Sequence, residues 1–181
     1  MSENALTETP SYIGLIVGGL LISLTVLFVA GFILYSSICP CERTPGGFLF
    51  GERVDVPVSN WSMANEVPLC QIQIWAGIRP HSINLNCMAA DDGKLYLSCS
   101  DCEGKYWSNV VGLEDLGKLR LGQNVYPVKF TRVLDAIELD RAWSARIAKL
   151  QYLASASNPA PGSSAPRPED WWSFNVSFFS P

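Results

Sequence analysis

The 181-residue chain has no basic stretch. Its 13 lysines and arginines are outnumbered by 17 aspartates and glutamates, for a formal net charge of −4. A nucleic-acid binder carries a basic patch or stripe, so no nucleic-acid partner is expected. Histidine is almost missing, with His81 the only one. A Ser/His or Cys/His hydrolase would need it as base, and no G-x-S-x-G nucleophile motif accompanies it. A second C-x-x-C is also missing. Cys99 and Cys102 make one pair, whereas a structural zinc site needs four converging ligands. Cys70, Cys87 and His81 fall on other predicted strands, so no metal site is expected. A thioredoxin-like dithiol sits at a helix N-terminus in a βαβ setting, and this pair follows a hairpin strand instead. The surroundings favour a strand and turn that carries two thiols.

Charge is absent from Tyr12 to Tyr35, YIGLIVGGLLISLTVLFVAGFILY. About 20 apolar residues suffice to cross the hydrocarbon core as a helix, and tyrosines at both ends suit the headgroup level. The preceding residues hold Glu3 and Glu8 but no Lys or Arg. That lacks the basic n-region of a cleaved signal peptide, so residues 12–38 are expected to be an uncleaved, single-pass anchor after an 11-residue tail. Arg43 and Arg53 follow the helix. By the positive-inside rule they place the soluble domain in the cytoplasm. Gly14 and Gly18 form a G-x-x-x-G, which a small-residue helix face explains equally well. Cys39 and Cys41 are juxtamembrane thiols, either palmitoylated or without a role.

Beyond the anchor, apolar and polar residues alternate. In PLCQIQIWA, Cys70, Ile72 and Ile74 oppose Gln71 and Gln73. In SINLNCMA, Ile83, Leu85 and Cys87 oppose Asn84, Asn86 and Met88. A period of two marks a half-buried strand. Asp91-Asp92-Gly93 before KLYLSCS signals a hairpin. KLRLG and NVYPVKFTRV make another around Gly122-Gln123-Asn124, with Pro127 marking an edge or a bulge. Asp135 caps a helix with Glu138 three residues on. Leu139, Trp143, Ile147, Leu150 and Ala154 recur at helical spacing. The Pro/Ser/Ala-rich ASASNPAPGSSAPRPED reads as a disordered linker ending in an aromatic tip, WWSFNVSFFSP, which docks on the domain, touches the bilayer interface or binds a partner. Asn60-Trp61-Ser62 and Asn175-Val176-Ser177 match the glycosylation sequon. The fold class is mainly β (α+β): a transmembrane helix, then a small antiparallel barrel over residues 45–154 with a late helix, then a linker and tip over 155–181.

The turn after KLYLSCS gathers Ser98, Ser100, Lys105, Trp107 and Asn109. Hydroxyls, an ammonium and backbone N–H groups suit a phosphate, and Trp107 is placed to stack on a flavin-type ring. An ordinary polar turn with a tryptophan folded over the core accounts for the same residues. The run from DDGKLYLSCS through KYWSN to RLGQNVY resembles the split β-barrel proteins of the pyridoxamine-phosphate-oxidase-like and deazaflavin-dependent nitroreductase superfamily. The matching residues are Lys105, Trp107 and Asn109, then Leu119 to Tyr126. Gly46, Gly47, Gly51, Glu52 and Trp61, with the Arg79-Pro80-His81-Ser82 corner, resemble a membrane-anchored branch of that group.

The resemblance implies a split β-barrel that binds FMN or a deazaflavin coenzyme, often as a homodimer; some members bind haem. It would place Ser98, Ser100 and Lys105 on the cofactor phosphate, Trp107 at the ring, and Arg79 and His81 at the completing corner. Two features depart from it. GIRPHS replaces the Gly- and Arg-rich phosphate turn, and Asp101 and Glu103 make the loop acidic. The expected function is a membrane-anchored flavin- or deazaflavin-dependent oxidoreductase acting on a lipid-soluble acceptor. The alternative is a non-enzymatic, tethered split-barrel module that binds a ligand or partner. No catalytic residue is assigned.

Overall fold

A computed structural model describes residues 12–38, 40, 44–156 and 158–180. Cys39, Cys41, Arg43 and the N-terminal tail lie outside them. The elements are α1 (Tyr12–Ser37), β1 (Glu52–Arg53), β2 (Cys70–Ala76), β3 (Arg79–Ala89), β4 (Leu95–Cys99), α2 (Tyr106–Val111), β5 (Glu114–Leu121), β6 (Asn124–Arg132), α3 (Ala136–Leu153) and β7 (Trp172–Phe178). α1 is long and apolar enough to cross a membrane, and its most apolar stretch is wholly unburied.

Six strands close on themselves in the order β6-β5-β2-β3-β4-β7, every pairing antiparallel, and β7 returns to β6. β1 adds in parallel to the start of β6. The alternation read from the sequence holds. Cys70, Ile72, Ile74, Cys87, Leu95 and Leu97 point into a fully buried interior with Leu119, Val128 and Phe174. A barrel this narrow is filled by side chains. Gly93 and Gly122 take the positive φ that their tight turns require, +80° and +59°. Pro127 sits where β1 has ended and β7 has not begun. Its missing N–H therefore breaks no ladder bond, which is the edge position that a strand proline needs.

The C-terminal segment differs from the linker reading. Residues 172–178 are the strand that closes the barrel, paired with both β4 and β6. Phe174 and Val176 are buried in the core, so the barrel does not end at residue 154. Trp172, Phe174, Val176 and Phe178 alternate with Ser173, Asn175 and Ser177, the same period-two pattern as the other strands. The Pro-rich stretch before it is a strap along α3. Trp143 Nε1 donates to the Ala165 carbonyl at 2.7 Å, and Arg167 pairs with Asp140 at 3.0 Å. Prolines stiffen such a chain beforehand, so ordering it costs less entropy.

α3 is capped as expected, with Asp135 accepting from the Glu138 amide at 2.9 Å. Its buried face is not the purely apolar stripe anticipated. Ala142, Trp143, Ala145 and Leu150 are buried together with Arg146 and Lys149, while Leu139 and Ile147 are only half-buried and Ala154 is exposed.

Candidate functional site

Between β3 and β4, the loop after β4, α3 and the strap lies a cleft of about 940 Å³, a size that suits a small-molecule ligand. Its polar wall comes from Asn84 and Asn86 on β3, Ser98 on β4, Ser100 and Lys105 in the loop, Arg146 on α3 and Asn158 on the strap. Trp107 and Trp171 border it as rings. Both faces of β3 reach the cleft: Asn84 and Asn86 from one side of the strand and Ile83 and Leu85, which also pack on the core, from the other.

Arg146 dominates the electrostatics. It is 8% exposed, and among the described residues no carboxylate pairs with it. Its Nη2 donates to Asn158 Oδ1 at 3.0 Å, and its guanidinium lies 4.7 Å over the Trp171 ring. Burial pulls its pKa down to about 10, so it stays charged at neutral pH. Asn158 Oδ1 also accepts from Asn86 Nδ2 at 2.7 Å. Among the described residues, three buried polar atoms on this wall have no partner: Arg146 Nε, Asn86 Oδ1 and Trp171 Nε1. Burying unpaired polar atoms and an unpaired cation is costly. A ligand with an anionic group and a hydrogen-bond donor would relieve that cost.

Of the residues singled out from the sequence, Ser98, Ser100, Lys105 and Trp107 line the cleft. Several of them already have partners. Ser98 Oγ bonds Ser173 Oγ across β4 and β7 at 3.1 Å. Lys105 Nζ donates to the Ser100 carbonyl at 2.6 Å. Trp107 is 5% exposed and packs on Phe174, ring centroids 5.1 Å apart. Arg79, His81 and Asn109 stand apart from the cleft. Asn109 donates to the Glu103 and Lys105 carbonyls at 2.8 and 3.1 Å, fixing the start of α2. His81 packs edge-on against Tyr106 at 5.2 Å, and burial, then the Arg79 cation, lowers its pKa. Arg79 reaches the end of α1. The reading missed Arg146, Asn158 and Trp171. The available signal was Arg146 and Lys149 recurring three apart among the small residues of α3.

Cys99 and Cys102 are joined in a disulfide, with Cα atoms 5.6 Å apart. This replaces the expectation of two unlinked thiols in a strand and turn. The strand does end at Cys99, and the turn brings Cys102 back within bonding reach. Both residues are buried. Asp101, between them, holds a left-handed φ of 46°. Among the described residues, no group of three or more His, Cys, Asp or Glu is placed to hold a metal.

The chain matches no protein-family model, no curated protein and no solved structure.

Proposed function

We propose that this protein is a membrane-anchored binding barrel whose cleft takes a small anionic ligand bearing a planar ring. The buried Arg146, which lines the cleft and has no carboxylate partner among the described residues, carries this reading. Such a guanidinium suits phosphate or carboxylate, and Trp107 and Trp171 offer ring surfaces beside it. FMN and deazaflavin coenzymes belong to this ligand class, and the donor set fits them. Arg146 and Lys105 would hold the phosphate, Asn86 and Asn158 the polar edge of the ring system. This reading agrees with the resemblance to the pyridoxamine-phosphate-oxidase-like split barrels, and with it a homodimer is proposed.

Hydride transfer is the chemistry that such a cofactor supplies when bound. An oxidoreductase acting on a lipid-soluble acceptor follows from that. One observation favours the non-enzymatic module instead. The Ser98 and Asn109 side chains already have partners within the protein, which leaves them structural and the cleft's demand at Arg146.

The test is a titration of the full chain in nanodiscs with FMN and with a deazaflavin, followed by fluorescence. Saturable binding is expected, weakened by about tenfold or more in Arg146→Met, as for loss of a charge-assisted bond. No binding of either compound by the folded protein overturns the ligand class. Binding without turnover of a quinone by the reduced complex selects the module over the oxidoreductase.

A further inference from the structure

α1 does not hand over to a loose tether. The Phe48 amide donates to the Ser36 carbonyl and the Gly47 amide to the Ile38 carbonyl, both at 2.8 Å. A Cβ on Gly47 would lie 2.4 Å from the Ser36 backbone, so only glycine fits this approach. On the other side, Arg79 Nη1 lies 3.5 Å from the Tyr35 hydroxyl, with its guanidinium 5.6 Å from that ring. The end of the helix is therefore clamped between the 46–50 segment and the first residue of β3.

Depth follows from this clamp. The 26 residues of α1 make a helix about 39 Å long, and Tyr12 and Tyr35 lie about 35 Å apart along it. That separation puts both tyrosines at the edges of a hydrocarbon core of about 30 Å. Whatever touches Tyr35 and Ser36 lies at headgroup level. Around this point the barrel displays apolar side chains. Ile78, at the tip of the β2–β3 hairpin, is 84% exposed, Phe50 56% and Trp75 52%. Phe48 links two of them, edge-on to Phe50 at 6.4 Å and to Trp75 at 5.9 Å. An exposed apolar cluster of this kind marks an interaction surface, and aromatics beside an arginine are the composition of a bilayer interface.

We propose that Phe48, Phe50, Trp75 and Ile78, with Arg79, form an apron that dips into the bilayer interface around the exit of α1, so that the barrel rests on the membrane. The occupant is lipid, because the patch is continuous with the end of the spanning helix. The inference rests on the reading of α1 as a membrane anchor. It also bears on the cleft, since Thr44, just before the clamped segment, and Lys105 and Trp107, either side of Tyr106, line it. Tyr106 itself contacts Arg79 across 5.9 Å.

The experiment uses the full chain in nanodiscs of phosphatidylcholine with phosphatidylglycerol. A photo-crosslinking amino acid replaces Ile78, Trp75, Leu24 or Ile137 in separate variants. Leu24 lies mid-helix in α1 and reports the anchor. Ile137 is 74% exposed. It adjoins Glu138, which pairs with Lys94 at the far end of the hairpin from Ile78. β3 alone spans about 36 Å between those ends. Lipid adducts by mass spectrometry are expected at 24, 78 and 75, with position 78 about tenfold above 137, the ratio that burial of one such side chain supports. Adducts at 24 with position 78 no higher than 137 overturn the apron and leave the anchor standing. No adduct at 24 overturns the anchor and the apron together.

Discussion

Arg146 is buried on α3 and has no carboxylate partner among the described residues. A buried cation without a carboxylate gains little for the fold, and an apolar side chain of similar volume often replaces one at no cost. Arg146→Met is therefore expected to unfold within about 1 kcal/mol of the parent, or above it, while anionic-ligand binding is lost. Denaturant titration and ligand titration on the same sample check both halves; a large loss of stability would make Arg146 a structural residue. Tyr96 and Glu138 give a second prediction, with a pH signature. The fully buried Tyr96 donates its hydroxyl to Glu138 Oε1 at 2.5 Å, and Lys94 and Arg141 flank the same carboxylate at 3.2 and 3.4 Å. The Tyr96 bond is the main reason that Glu138 ionises below its usual range. A carboxylate depressed in the folded state contributes stability above its unfolded pKa, and that contribution is lost as the pH falls through the folded value. Tyr96→Phe should cost about 1.5–3 kcal/mol at neutral pH. The gap to the parent should narrow as the pH drops below about 4, the ordinary glutamate value. Denaturant titrations at neutral pH and in acid check this, and a constant gap would locate the cost in packing.

At the level of elements, β7 decides whether the sheet is closed. Without it, β4 and β6 would each present an unpaired edge, the situation that drives aggregation. A chain ended after residue 154 is expected to aggregate on expression. Phe174→Ala in the full chain should cost about 3–5 kcal/mol, read from its thermal or denaturant midpoint. Most elements were legible from the chain because their interior faces repeat at period two and their turns carry Asp-Gly or Gly at the required positions. β7 repeats in the same way. It was obscured because the Pro-rich segment before it has the composition of a linker, and only contacts made with α3 distinguish a strap from a linker. The buried face of α3 was misjudged for a related reason. Helical spacing identifies a stripe, but Arg146 and Lys149 enter it because cleft and core acceptors await them: Lys149 Nζ donates to the Ala64 and Cys87 carbonyls at 2.8 and 2.5 Å. Arg79 and His81 stand apart from Ser98 because β3 is long: Ser98 pairs with Asn86, seven residues along the strand from Arg79.

For the whole molecule, two physical signals disagree on the side of the membrane on which the proposed anchor would place the barrel. Positive charge after α1 argues for the cytoplasm. It rests on Arg43 and on Arg53, and Arg53 is paired with Asp55 at 2.6 Å. The Cys99–Cys102 bond argues for the opposite face, because disulfides persist in oxidising compartments and are reduced in most cytosols. Both of its residues are buried beneath the loop that lines the cleft. The loop it closes is short, so the chain-entropy contribution is only about 2 kcal/mol. A cytosolic barrel would survive without it, and fold stability alone does not explain the pair. The disulfide is the stronger signal, since two charges set topology weakly and a disulfide persists only where the compartment is oxidising. The barrel is therefore expected on the oxidising face. Free thiols would be blocked in intact cells before lysis, and the full chain purified without reductant and mapped by mass spectrometry. Cys99 and Cys102 should be recovered linked, and protease added outside sealed cells should digest the barrel while sparing α1. Blocked, unlinked cysteines with a protected barrel would return the domain to the cytoplasm, and would make the pair reducible in the cell. The loop holding Ser100 and Lys105 against the cleft would then stand without its clasp, and ligand affinity measured with and without reductant would show how much of the site depends on it.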